Sequence, residues 1–182
     1  MARLFDKMEI GIIADTHSFF DPNLPEIFEK VDEIWHAGDF GNLDVANQLA
    51  QIKPTKGVYG NIDTEDIREA YPEDLWFEIE GVTVWMTHIA GRPGRYNPRV
   101  RQQLTKKRPD VLICGHSHLL MVQRDQKFGN MLYLNPGAAG HHGFHQKRTL
   151  LKCRIANGKI DNLRVIELGA RGRKMKPGQP DA

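Results

Sequence analysis

Two carboxylates, four imidazoles and one carboxamide stand directly after short apolar runs in this sequence: Asp15-Thr16-His17, Gly38-Asp39, Gly60-Asn61, His88 and Gly115-His116-Ser117-His118. None of these donors is a thiolate. Oxygen and imidazole donors together suit a hexacoordinate borderline cation such as Mn²⁺, Fe²⁺, Ni²⁺ or Zn²⁺ better than a structural zinc site or a calcium cage. Seven donors exceed one tetrahedral site. They suffice for two ions with one carboxylate bridging, at the roughly 3.5–4 Å separation used for hydrolysis. Two divalent ions less two carboxylates leave a positive surplus that a hydroxide and a phosphate ester anion can offset, so the site asks for an anionic substrate.

Taken singly, each residue has a plainer reading. An Asp or Asn after a strand is usually a turn former or a helix cap, and a lone His is often a hydrogen-bonded core residue. The pairs Asp15-x-His17 and His116-x-His118 change the balance, because on extended chain residues two apart point to the same side. Position adds to this. The apolar run Met8–Ala14 reads as a doubly buried strand, Glu33–Ala37 as a second, Lys56–Tyr59 as a third, Val82–Thr87 as one arm of a hairpin with Trp76–Glu80 around Gly81, and Val111–Cys114 as a further buried strand. All five strands that lead into a ligand type do so at their C-terminal edge, where open α/β sheets bind ligands. Helices are expected at Leu24–Lys30, Asn42–Ile52 and Pro98–Lys107, and the runs Leu119–Arg124, Met131–Leu134, Thr149–Ile155 and Lys159–Leu168 read as antiparallel strands, the last two joined at Asn157-Gly158. The class is α/β.

The chain that carries these elements has 182 residues, 40% hydrophobic and 26% charged, with 17 Gly and 10 Pro, which excludes collagen-like, low-complexity and wholly disordered classes. One domain is expected at 1–168, with 169–182 a disordered tail. At this length a core forms without metal staples, so a bound metal serves chemistry. Lys+Arg 25 against Asp+Glu 23 leaves a net charge of +2, too balanced to make nucleic acid or an anionic membrane the obligatory partner. Cys114 and Cys153 form no framework, no signal peptide is evident and no apolar run approaches the ~20 residues of a membrane span, so a cytoplasmic protein without a membrane partner is expected. The sequence does not fix the oligomeric state, and a homo-oligomer is compatible with it.

In order, Asp15-Thr-His17, Gly38-Asp39, Gly60-Asn61-Ile62-Asp63, His88 and Gly115-His116-Ser-His118 resemble the successive motifs of the calcineurin-like metallophosphoesterases. The compact spacing and Asn135-Pro136-Gly137 resemble the small YfcE-type phosphodiesterases. The resemblance covers about residues 8–168. It implies a four-layer sandwich of two packed mixed β-sheets flanked by α-helices. It also implies one metal held by Asp15, His17, Asp39 and His118 and another by Asp39, Asn61, His88 and His116, with Asp39 bridging. Departures accompany it: Ile62 stands where many phosphatases of the superfamily carry a His, the segment Gly38-Asp39-Phe40-Gly41-Asn42-Leu43 lacks the usual Gly-Asp-x-x-Asp-Arg, and Ala138 stands where small relatives often have Ser.

Other residues border this set. The loop Gly140-His141-His142-Gly143-Phe144-His145 is a candidate source of the missing proton donor, with His141 and His142 also candidate substrate contacts, although solvent loops hold such residues for no chemical reason. Between His88 and His116, Arg95 and Arg99 are the better substrate candidates in a basic segment whose Val100 and Leu104 mark an amphipathic helix. His36, inside a strand, reads as support, and Cys114 as a buried small residue. The expected function is that of a metal-dependent phosphodiesterase, a phosphoric ester hydrolase using two divalent ions, Mn²⁺ foremost, with in-line attack by a metal-bridging hydroxide and Asp39, Asn61 and His88 at the catalytic centre. Its partner is a small phosphodiester. The rivals are a non-catalytic protein-binding scaffold of the same fold, as in the retromer subunit that has lost part of the metal set, and a nuclease. All seven ligand positions are occupied here, and no added domain is evident to hold a duplex.

Overall fold

The computed structural model describes residues 7–172. Its first sheet runs in the order β12 (Lys159–Ala170), β11 (Lys147–Ala156), β1 (Met8–Ile13), β2 (Glu33–His36) and β3 (Thr55–Gly57). Here β1, β2 and β3 are parallel, and β11 lies antiparallel to β1. The second sheet runs β4 (Asp74–Ile79), β5 (Val82–Thr87), β8 (Val111–Ile113), β10 (Met131–Pro136) and β9 (Leu120–Asp125), with β5, β8 and β10 parallel. A two-stranded ribbon, β6 (Gly91–Arg92) and β7 (Arg95–Tyr96), follows His88.

The apolar runs are continuous because these strands are covered on both faces. Ile10 and Ile12 of β1 meet Val84 and Met86 of β5, Ile113 of β8 and Leu134 of β10 between the two sheets. On the outer face of the first sheet, Ile13 and Ile34 pack against α1 (Leu24–Ile27), α2 (Leu43–Ile52) and α3 (Glu65–Ala70). On the outer face of the second, Trp85, Leu112 and Tyr133 receive Val100 and Leu104 of α4 (Pro98–Lys106). Burying those two aliphatic side chains is worth about 1.5–3 kcal/mol each, and Asn97 starts the helix by accepting from the Val100 N–H. The result is the four-layer α/β sandwich, with the parallel strands of both sheets ending on one rim.

Several boundaries differ from expectation. The helix expected over Leu24–Lys30 stops at Ile27, because Phe28 turns inward and its buried ring packs on Gly11 of β1. The third strand is Thr55–Gly57, not Lys56–Tyr59, since Val58 N–H still bonds to His36 O while Tyr59 N–H turns to Pro72 O. The strand at Met131 is antiparallel to β9 but parallel to β8, so the second half is not a purely antiparallel meander. Gly169 and Ala170, assigned to the tail, complete β12, where Gly169 pairs with Arg148 and Ala170 with Lys147. The rest of the expected tail, from 173, lies outside the described residues. The hairpin turn at Glu80-Gly81 and that at Asn157-Gly158 have positive φ at both central positions, as a two-residue hairpin turn requires.

Candidate metal centre

Five loops at the rim carry the donors. Their ends converge into two groups, Asp15 with His17 and His118, and Asp39 with His88 and His116, and within each group the donor atoms lie within 4.8 Å of one another. The pairs are not presented from extended chain. Asp15, His17, Asp39, His116 and His118 all have positive φ, between 47° and 67°, so each ligand sits at a left-handed kink. Asp15 and His17 reach the same group, while His116 and His118 part to different ones.

The kinks are held by bonds between loops. Asp15 N–H donates to Gly38 O at 3.0 Å, His17 N–H to Asp39 O at 3.1 Å, and Gly115 N–H to His88 O at 3.1 Å. Both Asp15 carboxylate oxygens accept from His116 N–H, at 3.1 and 3.0 Å. Gly38 (φ +94°) must be glycine twice over, since a Cβ there would fall 2.5 Å from the His88 ring. At Gly60 a Cβ would fall 2.0 Å from Asp39 Oδ1. The Gly-Asp and Gly-Asn pairs thus record a close approach of backbone to ligand.

Asp39 stands at the junction. Its Oδ1 accepts from Ile62 N–H at 3.1 Å, while Oδ2 lies 3.2 Å from His88 Nε2 and 3.7 Å from His17 Nε2, which belong to opposite groups. Asp15 Oδ1 lies 3.4 Å from His118 Nε2, and the Nε2 atoms of His17 and His118 face each other at 3.2 Å. His88 Nδ1 bonds to the Ala37 carbonyl at 2.8 Å. That bond makes Nδ1 the protonated nitrogen and leaves a lone pair on Nε2 in the neutral ring. Nε2 is buried with no hydrogen-bond partner, its neighbour Asp39 Oδ2 being close but misdirected. An orphaned imidazole nitrogen facing a carboxylate oxygen is what a cation between them satisfies, and the residues present fit divalent ions on that ground.

Charge follows the same geometry. Burial holds His17 and His116 below the ordinary histidine value despite the nearby carboxylates, which keeps them neutral as ligands must be. Burial acts in the same direction on His88, but the Asp39 and Asp15 carboxylates outweigh it and raise that residue in the metal-free chain. Burial would raise Asp39, yet His88, the Ile62 N–H and His17 together lower it.

The remaining candidates separate. Asn61 lines the cleft with Asp39 and His116, its backbone oxygen gripped by Arg68 Nη2 at 3.2 Å. His142 lines the same cleft, its ring 4.9 Å from that of His17. His141 turns away, bonded through Nδ1 to Arg171 O and packed edge-on against Phe19. His145 is buried, donates through Nε2 to Gly140 O at 3.0 Å and has an unpartnered Nδ1. Arg99 is committed to Asp74 and, at 2.7 Å, to Thr87 Oγ1, whereas Arg95 opens onto a neighbouring cavity. His36 is support: Gly38 N–H donates to its Nδ1 at 3.1 Å, its Nε2 bonds Thr16 Oγ1 at 3.0 Å, and burial pushes its pKa down to about 3.

Two residues carry more of the site than their sequence context announces. The Asp63 carboxylate accepts three backbone N–H groups, from Asp39 at 3.0 Å and from Gly41 and Gly60 at 2.7 Å each. It locks the Asp39 kink to the Asn61 loop. Arg68 binds the carbonyls of Gly60, Asn61 and Asp63 from α3. Asp63 stands within the Gly60-Asn61-Ile62-Asp63 motif, where its position was visible and its role was not.

A family model for the calcineurin-like phosphoesterase superfamily domain matches residues 8–158. The chain belongs to the calcineurin-like phosphoesterase superfamily. A probable metallophosphoesterase of Methanothermobacter thermautotrophicus is 32% identical to it over 136 residues, 72% of this chain and 77% of the relative. Among solved structures, a conserved Streptococcus pneumoniae protein described as a predicted phosphoesterase superposes with TM-score 0.63 at 21% identity, covering 95% of both chains. Vps29 of Chaetomium thermophilum superposes with TM-score 0.69 at 15% identity over 88% of this chain and 97% of its own. At such identities the structures speak for the fold alone. In this phosphoesterase the matched span, residues 8–158, contains both donor groups described above. Among the described residues, no helix is long and apolar enough to cross a membrane.

Proposed function

We propose that this phosphoesterase hydrolyses phosphodiester bonds with two divalent ions, one held by Asp15, His17, Asp39 and His118 and the other by Asp39, Asn61, His88 and His116. The observation that carries the reading is the place of Asp39 Oδ2 between His17 and His88, each from a different donor group. Ions bound there neutralise phosphoryl oxygens and supply a nucleophile from water at neutral pH, and Mn²⁺ leads the cations that this thiolate-free set fits. The protein's own contribution is to fix the donors. His116 N–H orients the Asp15 carboxylate, Ala37 O sets the His88 tautomer, and Ile62 N–H holds Asp39 Oδ1 so that Oδ2 faces inward. Asn61 lines the cleft wall.

Ile62 has no proton to give. A diester monoanion needs fewer outer contacts than a monoester dianion, which favours diesters. Two loop histidines, His142 and His145, line the cleft and are the candidates to face an ester there, His145 through its unpartnered Nδ1, whereas His141 is turned to Arg171. The full ligand set supports an enzyme over a pure scaffold, which has no chemical need of it. Free, buried Cys114 and Cys153 support a cytoplasmic setting.

Metal analysis after reconstitution, beside hydrolysis of bis(p-nitrophenyl) phosphate and p-nitrophenyl phosphate, tests the reading. About two ions per chain and a higher kcat/KM for the diester are expected. One ion or none, with no divalent cation raising hydrolysis above background, overturns the dinuclear site. A higher kcat/KM for the monoester overturns the diester preference alone.

A further inference from the structure

The cleft does not end at the donors. Beside His116 it continues into a cavity of about 420 Å³, walled by Ile89, Leu119, Met121 and Tyr133, with Arg92 and Arg95 among its lining residues. The Tyr133 hydroxyl donates to Gly91 O at 2.6 Å and accepts from Cys114 Sγ at 2.9 Å, so its polar atom is satisfied within the protein and the ring remains as lining. Ile89 and Leu119 are 37% and 60% exposed, and with Ile62 and Phe144 on the cleft side they make four of the seven exposed large apolar side chains among the described residues. Solvent-exposed apolar groups gathered at one site mark a binding surface. Arg92 and Arg95 face each other across the β6–β7 ribbon, both exposed.

A second cavity, about 560 Å³, adjoins Asn61 and His88, and its wall differs in carrying Arg68, Glu73 and Arg99. The two cavities share Ile89 and Asn97 as the ridge between them. A phosphodiester has two ester arms. With phosphorus at the donors, one arm faces each cavity.

We infer that the cavity beside His116 is the subsite for an apolar ester arm, and that the substrate class is an amphiphilic phosphodiester whose other arm is polar. This rests on the phosphodiesterase reading for the position of phosphorus, while the recognition itself belongs to the cavity. The arginine pair draws the anion toward the mouth, and Ile89, Leu119, Met121 and Tyr133 remove the alkyl or aryl arm from water.

The test compares dimethylphosphinate with methyl(octyl)phosphinate, diester mimics whose P–C bonds cannot be hydrolysed. Binding is measured by calorimetry with and without Mn²⁺, beside kcat/KM for p-nitrophenyl methyl and p-nitrophenyl octyl phosphate. A fully buried methylene is worth roughly fourfold in affinity, so an octyl chain that is only partly covered is expected to bind at least tenfold tighter than methyl. In Leu119→Ser and Ile89→Ser, both at exposed positions, the preference should fall to within about threefold. Equal binding of the two phosphinates by the wild-type chain, or a preference that survives both substitutions, overturns the subsite. Metal-dependent hydrolysis without a chain-length preference removes the apolar subsite and leaves the phosphodiesterase. An octyl preference in binding with no hydrolysis of either ester under any divalent cation removes the phosphodiesterase and leaves an amphiphile pocket.

Discussion

Asp63 is the residue whose replacement separates the scaffold of the metal centre from its ligands. Its carboxylate touches no candidate ion position directly and instead takes the N–H groups of Asp39, Gly41 and Gly60, two on Oδ2 and one on Oδ1. Hydrogen bonds to a charged acceptor contribute about 1.5–3 kcal/mol each, so Asp63→Ala would forfeit a large part of a typical stability of about 5–15 kcal/mol and report only unfolding. Asp63→Asn is the sharper perturbation. The amide keeps one acceptor oxygen, loses the other and turns an NH₂ group toward a backbone donor. The expected cost is about 2–4 kcal/mol, or roughly 1–2 M in urea midpoint for a chain of this size. Because Asp39 and the Asn61 loop are then no longer locked together, metal affinity should fall about 10–100-fold, as it does when outer-shell partners are removed. The assay is urea unfolding of the metal-free chain with calorimetric Mn²⁺ titration of the folded variant. Asp125→Asn is the control, since among the described residues Asp125 serves Tyr96 and the Lys127 turn, away from the donors. An Asp63→Asn chain that unfolds at the wild-type midpoint and binds metal within threefold of wild type refutes the role.

Three further outcomes follow from the same geometry. Asp39→Asn should reduce metal content from two ions toward none, whereas His118→Ala should cost one; equal losses would remove Asp39 from the shared position. His36 is wholly buried and depressed to about pH 3, so the unfolded chain takes up a proton below about 6.5 that the folded chain refuses. Stability should therefore fall as pH drops from about 6.5 toward 3, by at most about 1.4 kcal/mol per pH unit from this group. His36→Asn, whose Oδ1 can still accept from Gly38, should lose that share of the slope, and a variant with the wild-type slope would place its origin elsewhere. Ile62→His, at a position 45% exposed on the cleft wall, should flatten the dependence of rate on leaving-group pKa and raise monoester hydrolysis. An unchanged slope would show that the leaving group is already protonated by another residue.

What the sequence disclosed and what it concealed divide along physical lines. The strands were legible because β1, β5 and β8 are largely buried on both faces and so are mostly apolar, and the donors were legible because each follows a short apolar run. The helix at α4 announced itself by Val100 and Leu104. By contrast α3, Glu-Asp-Ile-Arg-Glu-Ala, buries Ile67 and leaves little periodicity to find. Arg68 consequently went unnoticed, although it grips three carbonyls of the Asn61 loop. The ribbon at Gly91–Tyr96 has only two residues per strand and reads as a basic loop. Arg95 and Arg99 are indistinguishable in a sequence, yet Asp74 and Thr87 occupy one and leave the other at a cavity mouth. Charge pairing over 25 positions has no local signature.

The left-handed backbone at the ligands explains why the fold must be as interlinked as it is. Non-glycine residues with positive φ cost on the order of 1–2 kcal/mol each, and Asp15, His17, Asp39, His116 and His118 all adopt it. The summed strain, roughly 5–10 kcal/mol, is comparable to the stability of a whole domain. No single loop could retain it. Four of the kinks are therefore tied to neighbouring loops: Asp15 to Gly38 O and, through its carboxylate, to His116 N–H, His17 to Asp39 O, and Asp39 to Asp63, with Gly140 N–H reaching back to Asp15 O at 3.0 Å. The bonds fix the donors before any ion arrives, so binding does not have to order them. Substitutions that touch only the ties, such as Asp63→Asn, should then weaken metal binding while every ligand remains in the sequence.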